Sequence, residues 1–233
     1  MICGIVVALP EELATLTSRK LAQGECFSLR DDVLVAYAGA GPINAAKAAR
    51  LLIAQGADRL ISWGCAAALS PQLQPGNLVI ADRIFFDQQS FEADKRWSHE
   101  LRDRLGERTR ISRGNLATEG RIVASSLDKQ SIYRDSSAIA LDMESGAIAK
   151  AASQANLPYL VLRAIADPVA MDLPHAVVYA LNSQGQVELG KLLRYVLAHP
   201  SQIPSLIKLG LYFHAAQRTL KVVARHLNEI VTY

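Results

Sequence analysis

Two acidic residues stand in the apolar, small-residue segment LDMESGAIA, residues 141–149. Aspartate and glutamate are seldom buried without a partner, so Asp142 and Glu144 need an explanation. If the segment is still extended there, the two carboxylates share one face and Met143 points the other way. An ionised carboxylate accepts hydrogen bonds and donates none, so Glu144 suits the two hydroxyl groups of a ribose. The alternative is that Asp142 and Glu144 cap the helix that begins near Glu144.

A second group of polar residues closes the segment RAIADP, residues 163–168. Arg163 in a buried strand keeps its charge and needs a carboxylate partner, for which Asp142 and Glu144 are the candidates. Period-two alternation places Arg163 and Asp167 on one face of the strand. Asp167 at the strand end is either a general acid at the carboxyl edge of a sheet or a turn-forming aspartate.

Two glycine-containing turns follow apolar runs. GAGPIN, residues 39–44, has Asn44 where a dinucleotide-binding loop needs its third glycine, so a Rossmann cofactor site is disfavoured. It predicts a tight turn from strand to helix that presents amides to a polar ligand. In GCAAAL, residues 64–69, the small Gly64 and Cys65 allow close approach of a substrate. A nucleophilic role for Cys65 is the alternative, and no histidine is near it in sequence.

These residues need an α/β fold to bring them together. Short, continuous apolar runs predict strands covered on both faces, at Ile2–Ala8, Val33–Ala38, Arg59–Trp63, Leu78–Phe86, Ala138–Leu141 and Tyr159–Ala166. Helical patterns lie at Asn44–Gln55, Glu144–Gln154 and Gln186–Ala198. Ligands bind at the carboxyl ends of strands in mainly parallel or mixed sheets. The polar residues above come just after such strands.

The composition changes beyond Pro200. Apolar residues alternate at spacings of three and four, at Leu206, Leu209, Phe213, Ala216, Leu220, Val223, Leu227 and Ile230. The pattern predicts an amphipathic helix, and it suggests a domain at residues 1–198 with a helical extension at 199–233. The extension either packs on the domain or a partner subunit, or it is a basic helix at a membrane surface or near a lipidic substrate.

The bulk properties exclude several classes of protein. A length of 233 residues fits one domain of the α/β kind, and a net charge of +3 without a dense basic run in the first 200 residues disfavours nucleic-acid binding. Three cysteines without disulfide spacing predict reduced thiols in a cytoplasmic protein. The first apolar run is too short for a membrane span or a signal peptide. No pair of histidines has the spacing of zinc ligands, so we expect no metal.

Four segments together resemble the superfamily of nucleoside phosphorylases and methylthioadenosine/adenosylhomocysteine nucleosidases. They are GIVVALPEEL, ISWGCAAALSPQLQPGNLVIAD, LDMESGAIAKAA and LPYLVLRAIAD, in this order and at family-like separations between Ile2 and about Leu193. The resemblance implies a three-layer αβα sandwich with a central mixed sheet. RAIADP with its following DLP, and the HPSQIPSLIKL tail, look most like the hopanoid-biosynthesis-associated branch, which removes adenine from adenosylhopane.

The resemblance also implies roles for individual residues. Glu144 binds the ribose 2′- and 3′-hydroxyls, Met143 packs against the sugar, and Arg163 supports Glu144. Asp167 protonates or hydrogen-bonds purine N7, and Glu12 positions and deprotonates water. The remaining substrate contacts are Ile122 and Val123 on the base, with Gly64 and Cys65 close to the substrate.

The reaction type and the function both have alternatives. No arginine stands in ALPEEL or SWGCAAAL to bind phosphate, and Glu12 would repel it, which favours hydrolysis over phosphorolysis. No cofactor is expected beyond water or phosphate as co-substrate, and the relatives imply a homo-oligomer. The alternatives to an adenosylhopane enzyme are a general methylthioadenosine/adenosylhomocysteine nucleosidase or purine nucleoside phosphorylase, and a non-catalytic nucleoside-binding protein.

Overall fold

The computed structural model describes the chain apart from residues 107, 181, 183–187 and 233. The strands of the described residues are β1 (Cys3–Val7), β2 (Cys26–Arg30), β3 (Val33–Tyr37), β4 (Arg59–Ala68), β5 (Leu78–Phe86), β6 (Gln89–Glu92), β7 (Ile111–Thr118), β8 (Ala138–Asp142) and β9 (Tyr159–Asp167). The helices are α1 (Pro10–Leu13), α2 (Pro42–Ala54), α3 (Lys95–Leu105), α4 (Ser126–Ser136), α5 (Ser145–Gln154), α6 (His175–Ala180), α7 (Leu189–Ala198), α8 (Ile203–Ala224) and α9 (Leu227–Val231).

The strands form one mixed sheet in the order β2-β3-β1-β4-β8-β7-β5-β6, and β9 pairs with both β4 and β5. β1 is parallel to β3 and to β4, and β4 is parallel to β9. The carboxyl ends of β1, β3, β4 and β9 therefore meet at one edge of the sheet. The last residues of β4 pair antiparallel with β8, which brings the end of β8 to the same place.

Helices cover the sheet on both faces. On one face, α2 and α5 contribute alanine-rich surfaces, with residues such as Ala45, Ala49 and Ala152 fully buried. On the other face, α3, α8 and α9 pack through residues such as Trp97 and Leu220. Small side chains let α2 and α5 approach the sheet and each other closely. The predicted three-layer αβα architecture with a central mixed sheet is confirmed.

All of the predicted strands are present, and β4 continues further than predicted, through the small residues of GCAAA to Ala68. Three strands are not predicted. β2 and β6 are short, partly exposed strands in antiparallel pairs, and β7 contains Arg113, Gly114 and Asn115, which interrupt its apolar pattern. Their pairing with neighbours decides their conformation, since their own sequence does not.

The predicted helices are confirmed with small shifts of their ends. α2 begins with Pro42 at its first turn, and Gly56 follows it with a φ of 91°, where glycine avoids the strain of a left-handed conformation. α5 begins at Ser145, so Glu144 is its N-cap residue. Of the helix predicted at Gln186–Ala198, residues 189–198 are helical, and residues 186 and 187 lie outside the described residues.

The predicted C-terminal helix is present as α8, and the apolar pattern continues beyond it into a second, short helix, α9. The chain leaves helical geometry at His226, and the pattern continues in register across this break, because Ala216, Leu220, Val223, Leu227 and Ile230 are all buried against the sheet. The first half of α8 is different, because its apolar residues are half-buried or exposed. In the described part of the chain, no helix has the length and apolar character needed to cross a membrane.

Candidate active site

A cavity of about 270 Å³ opens at the carboxyl edge of the sheet, where β1, β4, β8 and β9 end. Most of the residues singled out in the sequence line it: Glu12, Cys65, Ile122, Val123, Asp142, Met143, Glu144 and Asp167. They come from five separate parts of the chain. Gly64 and Arg163 are not among the described residues that line the cavity, and they lie directly behind its carboxylates.

Arg163 is the centre of a buried charge cluster. Its Nε lies 2.7 Å from Asp142 Oδ2, its Nη2 3.6 Å from Glu144 Oε2, and its Nη1 3.9 Å from Glu12 Oε1. It also donates to Ser62 Oγ at 2.8 Å. The arginine thus has the carboxylate partner that a buried guanidinium requires, and Asp142 is the closest.

Asp142 caps α5. Its Oδ1 accepts from the backbone amides of Glu144 at 3.3 Å and Ser145 at 3.2 Å, and from Thr118 Oγ1 at 2.7 Å. Its Oδ2 accepts from the hydroxyl of Ser145. With its carboxylate engaged by α5, Thr118 and Arg163, Asp142 holds the start of the helix and the arginine together.

Glu144 makes no side-chain capping bond on α5, although it is the N-cap residue. Its Oε1 accepts from the backbone amide of Gly41 at 2.8 Å, in the GAGPIN turn. The predicted polar partner of that turn's amides is therefore a glutamate of the protein itself. Burial, opposed by Arg163, raises the pKa of Glu144 to about 7. The capping explanation accordingly fits Asp142, while the carboxylate of Glu144 is held by Gly41 at the cavity wall.

Glu12 enters the cavity from α1. Its Oε2 accepts from the amides of Ala8 at 2.9 Å and Leu9 at 3.1 Å, and its Oε1 accepts from the amide of Cys65 at 2.7 Å. Burial raises the pKa of Glu12, while Arg163 and these amides lower it. The side chain joins the ends of β1 and β4 and still lines the cavity.

The glycine at position 64 is required by the close approach of these charges. A Cβ atom at Gly64 would lie 2.3 Å from Arg163 Nη1 and 2.4 Å from Glu12 Oε1, so any side chain there would displace the ion pair. The next residue, Cys65, has a thiol whose pKa burial and Glu12 raise. A thiol that stays protonated is a poor nucleophile, which argues against the catalytic alternative for Cys65.

Asp167 lies apart from the arginine cluster. The pairing of β9 with β4 shifts register between Ala66 and Ala67, opposite Ile165 and Asp167, so a bulge interrupts the strand's alternation. Asp167 Oδ2 lies 2.6 Å from Nζ of Lys129 on α4. Burial raises the pKa of Asp167, and Lys129 lowers it. This contact of Lys129 is not predicted from the sequence, because its surroundings in α4 are polar and indicate an exposed helix.

The remaining walls of the cavity are apolar. Ile122, Val123 and Met143 contribute apolar side chains to it. Leu209 and Phe213 of α8 also line it, so the C-terminal extension forms part of the site. Neither they nor Arg121, an exposed residue at the same cavity, is expected as a site residue from the sequence.

The arrangement suits chemistry in which a cation develops next to carboxylates. Arg163 offsets only part of the charge of Asp142, Glu144 and Glu12, and Asp167 stands separately with Lys129. Such a field stabilises positive charge and repels anions. Within the described residues, no group of three or more His, Cys, Asp or Glu side chains is placed to hold a metal ion.

Residues 3–198 match the Phosphorylase superfamily. The chain belongs to this superfamily. Among relatives of the superfamily, the 5′-methylthioadenosine/S-adenosylhomocysteine nucleosidase of Mycobacterium tuberculosis is 24% identical over 222 residues, a match that covers 72% of this chain and 86% of the relative. The Staphylococcus aureus nucleosidase of the same name is 26% identical over 195 residues, with 70% and 85% covered. The chain is thus an enzyme of the nucleosidase and nucleoside phosphorylase superfamily.

Solved structures share the fold over nearly the whole chain. A Helicobacter pylori 5′-methylthioadenosine nucleosidase variant, with 5′-methylthioadenosine in its active site, superposes with a TM-score of 0.73 and 16% identity, and 99% of this chain and 97% of that one are covered. Futalosine hydrolase of the same organism has a TM-score of 0.70 and 16% identity, with 98% and 96% covered. The C-terminal helices therefore fall within the shared architecture.

Proposed function

We propose that the protein cleaves the N-glycosidic bond of a 5′-modified adenosine and releases adenine. One observation carries the proposal: Glu12, Glu144 and Asp167 line a single cavity from different strand ends. Breaking this bond develops positive charge on the sugar and negative charge on the departing base. Glu12 and Glu144, at one end of the cavity, stabilise the positive charge on the sugar. Asp167, at the other end, neutralises the negative charge on the base by donating a proton.

Each residue has a role in this reaction. Glu144, held through Oε1 by Gly41, offers its other oxygen to the ribose hydroxyls, and Arg163 and Asp142 hold it in place. Asp167 donates a proton to purine N7, which makes the base a better leaving group. Glu12 accepts a proton from the attacking water. Met143 packs against the sugar, and Ile122 and Val123 against the base.

Water is the proposed nucleophile. Glu12, Asp142 and Glu144 line one end of the cavity and share the charge of Arg163, so phosphate at this end would meet a negative field. No other cofactor is proposed. Adenine release measured with and without phosphate distinguishes the two reactions: hydrolysis proceeds at the same rate in both, and phosphorolysis stops when phosphate is removed.

The proposed substrate is a hydrophobic one, adenosylhopane. RAIADP with its following DLP and the tail resemble the hopanoid-associated branch, and Leu209 and Phe213 of that tail add apolar surface to the cavity. We propose that residues 1–198 carry the chemistry and that the extension at 199–233 receives the apolar part of the substrate. The relatives named above suggest the alternative of a general methylthioadenosine/adenosylhomocysteine nucleosidase.

A substrate comparison tests this proposal. Purified protein is incubated with adenosylhopane in detergent and, separately, with 5′-methylthioadenosine, and free adenine is measured by chromatography. Release from adenosylhopane at the higher kcat/KM supports the proposal. Preference for 5′-methylthioadenosine would assign the chain to the general nucleosidases. Tight binding of both compounds without any adenine release would identify a nucleoside-binding protein.

Contact with a membrane through the C-terminal helices is part of the proposal. Leu193 and Leu197, four residues apart on α7, are 63% and 84% exposed. Ile203, Ile207 and Leu211, at the same spacing on α8, are 42%, 59% and 65% exposed. A spacing of four places each set on one helix face. These two stripes form an apolar surface, called here the α7–α8 surface.

The charge of this part of the chain indicates the partner. No aspartate or glutamate occurs between Glu188 and Glu229, and the basic residues there are Lys191, Arg194, Lys208, Arg218, Lys221 and Arg225. Exposed apolar side chains together with basic ones are typical of helices that lie in the interface of an anionic bilayer. The α7–α8 surface is therefore proposed to contact anionic lipid, where a hopanoid substrate would be reached.

Sedimentation with vesicles tests this contact without any substrate. We expect the protein to pellet with phosphatidylglycerol vesicles and much less with phosphatidylcholine vesicles. Leu197→Ser with Ile207→Ser should abolish pelleting, while Leu127→Ser, at a residue 73% exposed on α4, should not. If the protein fails to pellet with anionic vesicles and the double variant instead lowers its mass in solution, the surface joins two copies of the chain. We propose a homo-oligomer because the chain resembles a superfamily whose members form oligomers.

A further inference from the structure

Lys129 is fully buried on the polar helix α4. Its Nζ lies 2.6 Å from Asp167 Oδ2, 2.7 Å from the carbonyl oxygen of Met171, and 3.4 Å from that of Pro168. A lysine ammonium has three hydrogens, and here they meet three acceptors. A buried ammonium without a carboxylate would be strongly destabilising, so Asp167 and Lys129 form one unit.

The two oxygens of Asp167 have different surroundings. Oδ2 is held by Lys129, whereas Oδ1 is buried and has no hydrogen-bond partner in the described part of the chain. Buried polar atoms are nearly always satisfied, so this oxygen marks a place for a group that comes from outside the chain. Asp167 lines the cavity, which is where a substrate would supply that group.

We propose that Lys129 is the positioning residue of the acid, because it holds Asp167 Oδ2 so that Oδ1 delivers the proton to the base. Its ammonium also stabilises the negative charge that Asp167 carries after the proton has left. The inference rests on the proposed function, because it concerns the same acid. Resemblance does not supply it, since Lys129 falls outside the motifs that carry the family likeness.

The step balances as follows. The proton on Asp167 Oδ1 moves to N7 of the adenine, and the bond between C1′ and N9 breaks with its electron pair going to the base. The oxygen of the attacking water bonds to C1′ as one of the water protons passes to Glu12, which later releases that proton to solvent. Asp167 is left as a carboxylate, and it forms an ion pair with the ammonium of Lys129, 2.6 Å away. Without Lys129, the same transfer would create an isolated buried carboxylate, which is costly. Reprotonation of Asp167 from solvent restores the starting state.

Other charged groups surround the pair. The charge of Asp172 raises the pKa of Asp167. The charge of His175 in turn lowers the pKa of Asp172. Arg121 lies at the same cavity and is exposed. The arginine cluster stands at the other end, with Glu12, Asp142, Glu144 and Arg163. Among the charged groups of the described residues, Lys129 forms the ion pair with Asp167, and the groups above act from further away.

A purely structural role for Lys129 predicts different behaviour. Its bonds to Pro168 and Met171 fix the loop that follows β9, so its loss could lower stability without altering the acid. The discriminating quantity is the pKa of Asp167. Lys129 lowers this pKa against the effect of burial, so its removal should raise it.

The test compares Lys129→Met and Lys129→Gln with Lys129→Arg, and uses Lys150→Met on α5 as a control. For the wild type, activity should fall as pH rises through the pKa of Asp167, since the acid must be protonated. In Lys129→Met we expect kcat for the adenine nucleoside to fall about 10- to 100-fold with little change in KM. The alkaline limb of the pH–activity profile of Lys129→Met should move to higher pH. Lys129→Arg should restore the limb toward the wild-type position, and Lys150→Met should leave it in place.

A titration followed by 13C NMR of the aspartate carboxyl carbons gives a readout independent of turnover. The Asp167 signal is assigned by its loss in Asp167→Asn, and it should titrate at higher pH in Lys129→Met, or in Lys129→Gln if the Met variant does not fold. An unshifted Asp167 titration overturns the inference even if activity is lost. If the wild type releases no adenine from any nucleoside but the titration shifts, the proposed function fails and the pairing of Lys129 with the acid stands.

Discussion

Asp142 and Glu144 are neighbours in the sequence but have different partners in the structure. Asp142 caps α5 and pairs with Arg163 at 2.7 Å, whereas Glu144 reaches across to the amide of Gly41. The position of Glu144 at the helix start frees its side chain, because Asp142 already satisfies the first amides of α5. A carboxylate that is positioned but not consumed by capping is what a diol-binding residue requires.

The residue-scale prediction concerns Asp167. Replacing it with asparagine removes the proton but keeps a group that accepts from Lys129, so the fold should survive. We expect kcat for adenine release to fall about 100- to 10,000-fold, the usual contribution of a general acid. Asp31→Asn is the matched control, since Asp31 is an exposed aspartate in the turn between β2 and β3 and lies outside the cavity. Near-normal turnover by Asp167→Asn, measured as free adenine, would remove Asp167 from the mechanism.

At the scale of elements, much of the arrangement is predictable from local sequence. The apolar runs predict six strands, and the ends of four of them, β1, β3, β4 and β9, meet at one edge because these strands are parallel. The end of β8 joins them through its antiparallel pairing with β4, whereas β5 runs antiparallel to β9. α4 shows where such prediction stops. Its sequence SLDKQSIYRDS indicates an exposed helix, yet the loop after β9 buries Lys129 against Asp167. Contacts between residues 38 positions apart leave no periodic signal in the sequence.

The first half of α8 supports a prediction about substrate choice. Phe213 and the preceding residue, Tyr212, are both half-buried aromatic residues of α8. Phe213 lines the cavity, whereas Tyr212 is not among its lining residues. Phe213→Ala should lower kcat/KM for a nucleoside with a long apolar 5′-substituent about 10-fold or more, because an apolar contact of this size is worth about 1–3 kcal/mol. Adenosine should be much less affected, and Tyr212→Ala should change neither substrate. An equal loss for adenosine and the apolar nucleoside would mean that Phe213 only maintains the fold.

At the scale of the whole molecule, the buried carboxyl groups of the site make the free energy of unfolding depend on pH. Burial raises the pKa values of Glu12, Glu144 and Asp167 above those of exposed carboxyl groups. The folded protein therefore binds more protons than the unfolded chain at mildly acidic pH, and its free energy of unfolding falls as pH rises through this range. Part of the stability at pH 5 is accordingly lost by pH 8, because these buried carboxyl groups ionise less readily than exposed ones.

Glu144 allows this cost to be measured. Its pKa is about 7 in the folded protein, against 4.5 for the ordinary group, so the loss occurs between these values and amounts to about 3 kcal/mol at most. Glu144→Gln cannot ionise, and its Tm should therefore fall less between pH 5 and pH 8 than that of the wild type. Glu25→Gln, at an exposed residue outside the cavity, removes the same charge and is the control for altered net charge. Parallel Tm curves for the wild type and Glu144→Gln, recorded by calorimetry, would show that Glu144 ionises in the folded site as easily as in water, and that Arg163 and Gly41 fully offset its burial.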